Sequence, residues 1–228
     1  MSHPSWPSFV WQTYDYYFDP TAAYFGCKKA CEPIHIQWNA ETDQIEVVNY
    51  RAGLRTDLIA KAQLLNQQGE VKWEQQTSLS SVPEDQTVTC FTLPQDDATL
   101  SQLSDTYFVR LYLTDAQGQT LSDNFYWQGK QEGNYTSLLS LPKAKLSIET
   151  ETQQVGDEWL ITGRVTNPGQ TPALMIHLTA ETCQSHQRIT PVLYNDNYFF
   201  LMPGESKDLR ISMKVADSHG EKPVVVEK

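Results

Sequence analysis

From Ile34 to the end of the chain, apolar and polar residues alternate with a period of two, the signature of strands with one buried face. Ile34-His35-Ile36-Gln37-Trp38 sets the pattern, and Gln44–Tyr50 repeats it after a turn at Thr42-Asp43. Leu58–Leu65 and Val71–Ser78 flank Gln67-Gln68-Gly69, and Tyr107–Thr114 and Thr120–Trp127 flank Asp115-Ala116-Gln117-Gly118. Both interruptions place a glycine where a hairpin needs a left-handed residue. With Thr87–Leu93 these segments make seven short strands in about a hundred residues, which predicts an immunoglobulin-like sandwich. After the polar stretch Gly129–Asn134 and Leu141-Pro142, a second series begins. Its clearest members are Ala144–Thr150, Glu158–Thr166, Ala173–Ala180, Ile189–Tyr194 and Ser206–Val215, with turns at Asn167-Pro168-Gly169 and Pro203-Gly204. The pattern predicts a second, smaller sandwich.

The first 33 residues are different. They hold nine of the chain's 25 aromatic residues and no period-two pattern. Phe9-Val10-Trp11 reads as a strand, and Asp19-Pro20 followed by Thr21–Cys31 and Pro33 reads as a helix with Asp19 as its N-cap. One strand and one helix cannot bury so many rings. Trp6, Phe9, Trp11, Tyr14, Tyr16, Tyr17 and Phe18 are therefore expected to be exposed or to lie loosely on the first sandwich. The expected organisation is 1–33 as a strand-helix piece, 34–130 as the first sandwich, 131–143 as a linker and 144–228 as the second sandwich.

Composition adds exclusions. Acidic residues outnumber basic ones 28 to 17, and the net charge of −11 disfavours nucleic acid or an anionic membrane as a partner. No stretch approaches the roughly 20 apolar residues of a membrane span, and Met1-Ser2-His3-Pro4 does not open a secretory signal. Cys27 and Cys31 stand four apart on one helix face but lack a second ligand pair, so they are expected to be buried thiols, with no metal and no cofactor. The sequon Asn134-Tyr135-Thr136 carries little weight without an export signal.

Glycosidic hydrolysis requires two carboxylates at a set separation. Asp15, Asp19 and Glu32 are the acidic residues of the first segment, and each has a structural use: Asp19 caps, Glu32 closes the helix, and Asp15 holds a backbone group. The five histidines lie in unrelated contexts, with no nucleophile elbow or zinc motif nearby. No catalytic residue is expected. Tyr194-Asn195-Asp196-Asn197-Tyr198-Phe199-Phe200 has the materials of a glycan or calcium site, so Tyr194, Asp196 and Tyr198 are its candidate recognition residues. The competing expectation is a tight turn with Tyr198 and Phe200 facing inward.

The run from Phe9 to Gly26 resembles the last strand and helix of the barrel in glycoside hydrolase family 2, in its β-mannosidase and exo-β-glucosaminidase branch, and Glu32-Pro33-Ile34-His35 resembles the exit from that barrel. Arg188 to Ser206 is similar to the last immunoglobulin-like module of the exo-β-glucosaminidase-type enzymes. The resemblance implies a mostly β chain of two immunoglobulin-like sandwiches, preceded by a short remnant of a (β/α)8 barrel. It also implies partners: the catalytic barrel and N-terminal domains of a secreted or periplasmic parent. A whole barrel takes roughly 250 residues, more than this chain, and no position matches the family's catalytic carboxylates. Trp11 corresponds to the aromatic floor of the sugar site and Asp15 to its border, so both are substrate-binding candidates in a complete barrel. The alternative is a free-standing pair of immunoglobulin-like modules that binds carbohydrate or protein.

Overall fold

The computed structural model describes residues 13–228, so Trp6, Phe9 and Trp11 lie outside the described residues. The described residues form two compact units, one of residues 29–142 and one that joins residues 13–28 to 143–228.

The unit formed by residues 29–142 contains all seven expected strands: β1 (Ile34–Asn39), β2 (Gln44–Asn49), β3 (Leu58–Asn66), β4 (Val71–Leu79), β5 (Gln86–Thr92), β6 (Thr106–Thr114) and β7 (Thr120–Gly129). They form a three-stranded sheet, β1-β2-β5, and a four-stranded sheet, β4-β3-β6-β7. Ile36, Ile45 and Val47 from the first sheet and Leu64, Leu111 and Leu113 from the second share one buried cluster. In the second sheet Ala60 stands opposite Leu113 and Ala62 opposite Leu111, so small and large side chains alternate across the pair. Two hairpins use one turn. Gly69 and Gly118 have φ of 84° and 81°, and Asn66 Oδ1 and Asp115 Oδ1 each accept two backbone N–H groups across their loops. A short helix, Asp97–Leu100, capped by the Asp96 side chain, and a 3-10 turn at Thr136–Ser140 are elements of this unit that the periodicity does not reveal.

The other unit opens with α1 (Ala22–Ala30) and continues with β8 (Ser147–Val155), β9 (Glu158–Thr166), β10 (Ala173–Ile176), β11 (Leu178–Thr182), β12 (Leu193–Tyr194), β13 (Phe199–Leu201), β14 (Ser206–Lys214) and β15 (Pro223–Glu227). Strands β12-β14-β9-β8 form one sheet, while β10-β13 and β11-β15 are separate pairs. Ile161, Val165, Leu209 and Ile211 meet Ile176, Leu178, Ala180 and Leu201 in its core.

Five expectations change. Residues 173–180 are not one strand, because Met175 adopts φ of 53° and the strand breaks at His177. Of 189–194 only Leu193 and Tyr194 are strand, although Ile189 and Val192 are buried. Asp19 is not the N-cap: the helix begins at Ala22. Cys27 and Cys31 are exposed rather than buried, because Phe25 supplies the buried face of α1. Lastly, the described part of the aromatic segment packs with the second sandwich and not the first: Phe25 joins the Ile161–Ile211 core, and Lys28 Nζ donates to the carbonyls of Tyr194 and Asn195 at 3.3 and 2.6 Å.

Candidate functional site

Residues 13–21 fold into a tight turn. Asp15 N–H donates to the Asp19 carbonyl at 2.9 Å, Thr21 N–H donates to Thr13, and Phe18 takes the left-handed conformation at φ of 64°. Asp15 Oδ1 holds this shape by accepting the N–H groups of Tyr17 and Asp19 at 2.8 and 3.0 Å. The turn leaves Tyr17 and Phe18 about half exposed, with Tyr16 and Tyr24 somewhat less so.

The turn meets the loops of the second sandwich through charge. Arg188 Nη1 lies 3.6 Å from Asp15 Oδ2 and 3.8 Å from Asp19 Oδ2, and its guanidinium sits over the Tyr17 ring at 5.5 Å. Asp19 is 6 % exposed. Burial raises its carboxyl from the ordinary 3.8 to about 6, against the lowering effect of Arg188 and with a smaller push from Asp15. His177 Nε2 is 3.8 Å from Asp19 Oδ2. The same nitrogen is buried and has no hydrogen-bond partner among the described residues. Burial, then the charges of Arg188 and Lys228, lower the pKa of His177, and only Asp15 opposes them.

Tyr198 completes the cluster. Its ring stacks on His177 with centroids 4.4 Å apart and 15° between planes, and it also approaches Phe25 at 6.1 Å. Its backbone is left-handed, at φ of 55°. Partial burial and the carboxylates of Asp19 and Asp15 push its phenol up to about 12.

The three candidate residues of the Tyr194–Phe200 segment therefore separate. Tyr194 is buried, and its hydroxyl accepts the Ala180 N–H at 3.0 Å. Burial raises its phenol strongly. Asp196 accepts the Asn197 N–H at 2.9 Å and pairs with Lys207. Tyr198 stacks on His177 beside the Asp15–Asp19 turn, whereas Tyr194 meets the charge of Asp19 from within the core. The inward residues are Phe199 and Leu201, whereas Tyr198 and Phe200 are only partly covered; the left-handed backbone at Tyr198 shifts the alternation by one. Asn195 and Asn197 hold the loop: Asn195 bridges to the backbone of Asp208 and Arg210, and Asn197 to that of Leu178.

In the unit of residues 29–142, Glu32 Oε2 accepts Ser122 Oγ–H at 2.6 Å and His35 Nδ1–H at 3.1 Å, while His35 Nε2 faces the Asn124 amide at 3.2 Å. This chain satisfies the polar groups where β1 meets β7 and presents no carboxylate for acid or base work. Among the described residues, no group of three His, Cys, Asp or Glu is placed to hold a metal ion. Among them too, no helix is long and apolar enough to cross a membrane. Sequence reading passed over His177 and Arg188. The only signal was a histidine inside the otherwise apolar run Ala173–Leu178, and its partners lie far away in sequence.

Residues 124–228 match the exo-β-D-glucosaminidase Ig-fold domain, and residues 46–130 match the mannosidase Ig/CBM-like domain. An exo-β-D-glucosaminidase of Streptomyces avermitilis is 32 % identical over 249 residues, which cover 99 % of this chain and 27 % of the relative. The crystal structure of an Amycolatopsis orientalis exo-chitosanase superposes with a TM-score of 0.86 at 27 % identity, covering 98 % of this chain and 28 % of that one. A β-D-mannosidase from Dictyoglomus thermophilum, at 16 % identity and a TM-score of 0.62, shares the fold over 97 % of this chain and 25 % of its own. The chain thus spans about a quarter of the length of the curated relatives that it matches.

Proposed function

We propose that the chain is the non-catalytic C-terminal accessory region of an exo-β-glycosidase of glycoside hydrolase family 2, a reading supported by its matches to the exo-β-D-glucosaminidase Ig-fold domain and the mannosidase Ig/CBM-like domain. In this reading residues 1–33 are the closing strand and helix of a catalytic barrel, Trp11 and Asp15 border its sugar site, and the exposed rings of Tyr16, Tyr17, Phe18 and Tyr24 rest on the rest of that barrel. The substrate class is a terminal β-linked glucosamine or mannose residue, bound by the whole enzyme. One observation carries the proposal: nearly the whole chain aligns with a quarter of an exo-β-D-glucosaminidase. The carboxylates of the first segment fit it, because Asp15, Asp19 and Glu32 are committed to a turn, an ion-pair cluster and a β1–β7 clasp.

Retaining and inverting hydrolysis both need a free pair of carboxyls beside the scissile bond. The purified chain is therefore expected to show no turnover of aryl β-glucosaminide or β-mannoside. Turnover that survives purification and disappears in Asp15→Asn or Glu32→Gln would refute the accessory reading.

A further inference from the structure

We propose that Asp19 and His177 form a proton-gated clasp: on taking up one proton, the Asp19 carboxyl donates a hydrogen bond to neutral His177 Nε2 and fastens the turn of residues 13–21 to the second sandwich. The inference stands on this chain's own contacts and is independent of the accessory reading above.

In the tautomer that carries its proton on Nδ1, His177 Nε2 is an acceptor and calls for a donor. His177 Nε2 is buried, has no partner among the described residues, and lies 3.8 Å from Asp19 Oδ2, so a hydrogen bond needs an approach of about 1 Å. A buried acceptor left unpaired is costly, and an unprotonated carboxylate cannot donate to it. The groups facing the pair are Asp15 on the same turn, Arg188 between β11 and β12, Tyr194 on β12, Tyr198 before β13, and Lys228 at the C-terminus, whose N–H donates to the His177 carbonyl. Arg188 and Lys228 resist a second positive charge on His177. Burial meanwhile brings the Asp19 carboxyl to about 6. The clasp places the single proton on Asp19 and leaves His177 neutral. The Tyr198 ring, stacked on the imidazole, fixes the plane that Nε2 presents.

The sign follows from linkage. A carboxyl raised from 3.8 to about 6 binds its proton more tightly in the folded state, so its contribution is complete below 3.8 and disappears as pH rises through about 6. Asp19→Asn carries a permanent N–H donor in the same place and keeps the clasp closed at every pH. In the full chain, the folding equilibrium constant of Asp19→Asn is expected to exceed that of the wild type by roughly ten- to a hundredfold at pH 8, with the difference closing as pH falls to about 3.8. Imidazole nitrogen NMR of the wild type should show His177 neutral through pH 5, with Nε2 moving as a hydrogen-bond acceptor while Asp19 titrates. Two results would overturn the clasp: His177 becoming imidazolium before Asp19 takes its proton, or Asp19→Asn being less stable than the wild type at pH 8. Either would make the pair an ordinary ion contact.

Discussion

The Asn197 side chain stands in for a neighbouring strand beside Leu178. Leu178 N–H donates to Asn197 Oδ1 at 2.8 Å, and the Leu178 carbonyl accepts from Asn197 Nδ2 at 2.8 Å. The pairing lies where β10 ends and β11 begins, at the point the backbone would otherwise lose a ladder partner. Asn197 is 1 % exposed, so water cannot replace it.

Replacing Asn197 by Leu keeps the branching at Cγ but adds bulk and leaves both Leu178 groups unpaired. The expected loss is about 2–4 kcal/mol of unfolding free energy, measured by urea denaturation. A change within experimental error would show that the loop re-pairs through its own backbone.

The adjacent Asp196 tests the recognition reading of the same segment. Asp196→Ala removes the Lys207 pair and the acceptor for Asn197 N–H, at about 0.5–1.5 kcal/mol. Millimolar calcium is expected to leave the wild-type melting temperature unchanged. A calcium-dependent rise, abolished by Asp196→Ala, would make the loop a cation site instead.

Two glycines should respond oppositely to alanine. At Gly163, in β9 opposite Thr150, an added Cβ would sit 2.0 Å from the Glu149 carbonyl oxygen and 2.7 Å from Thr150 Cα, all backbone atoms. Gly163→Ala must push β8 away and is expected to lose about 3 kcal/mol or prevent folding. At Gly26, within α1, a Cβ meets nothing within 4 Å. Gly26→Ala is expected to gain up to about 1 kcal/mol through helix propensity. Thermal melts of the two variants decide both.

Thiol reactivity should divide the cysteines. Cys27, Cys31 and Cys183 are exposed, whereas burial pushes the Cys90 thiol up to about 11 and its S–H points at the Val88 carbonyl. Iodoacetamide at pH 8 is expected to modify the first three in the native protein and Cys90 only after unfolding, as read by mass spectrometry. Early labelling of Cys90 would show that the bulge it forms in β5 opens readily.

By itself the sequence determined the seven strands of residues 34–129, because each has one face toward a core and its period of two is preserved from turn to turn. The hairpin turns were legible for the same local reason: Asn66 with Gly69 and Asp115 with Gly118 close their loops by contacts three or four residues apart. The family resemblance of the Arg188–Ser206 run is also a property of the sequence. The second sandwich was less legible because Met175, Asn197 and Tyr198 break alternation, and the pairing they substitute spans nineteen positions, Asn197 to Leu178. The cluster of Asp15, Asp19, His177 and Arg188 belongs to tertiary structure alone. No periodicity relates Asp19 to a histidine more than 150 residues away, and the seating of Phe25 in the core together with the Arg188 and Lys28 contacts brings the aromatic turn to that sandwich. Local propensity would have made Asp19 a helix cap. Burial against His177 and Arg188 gave its carboxyl a different environment, which no reading of neighbours along the chain contains.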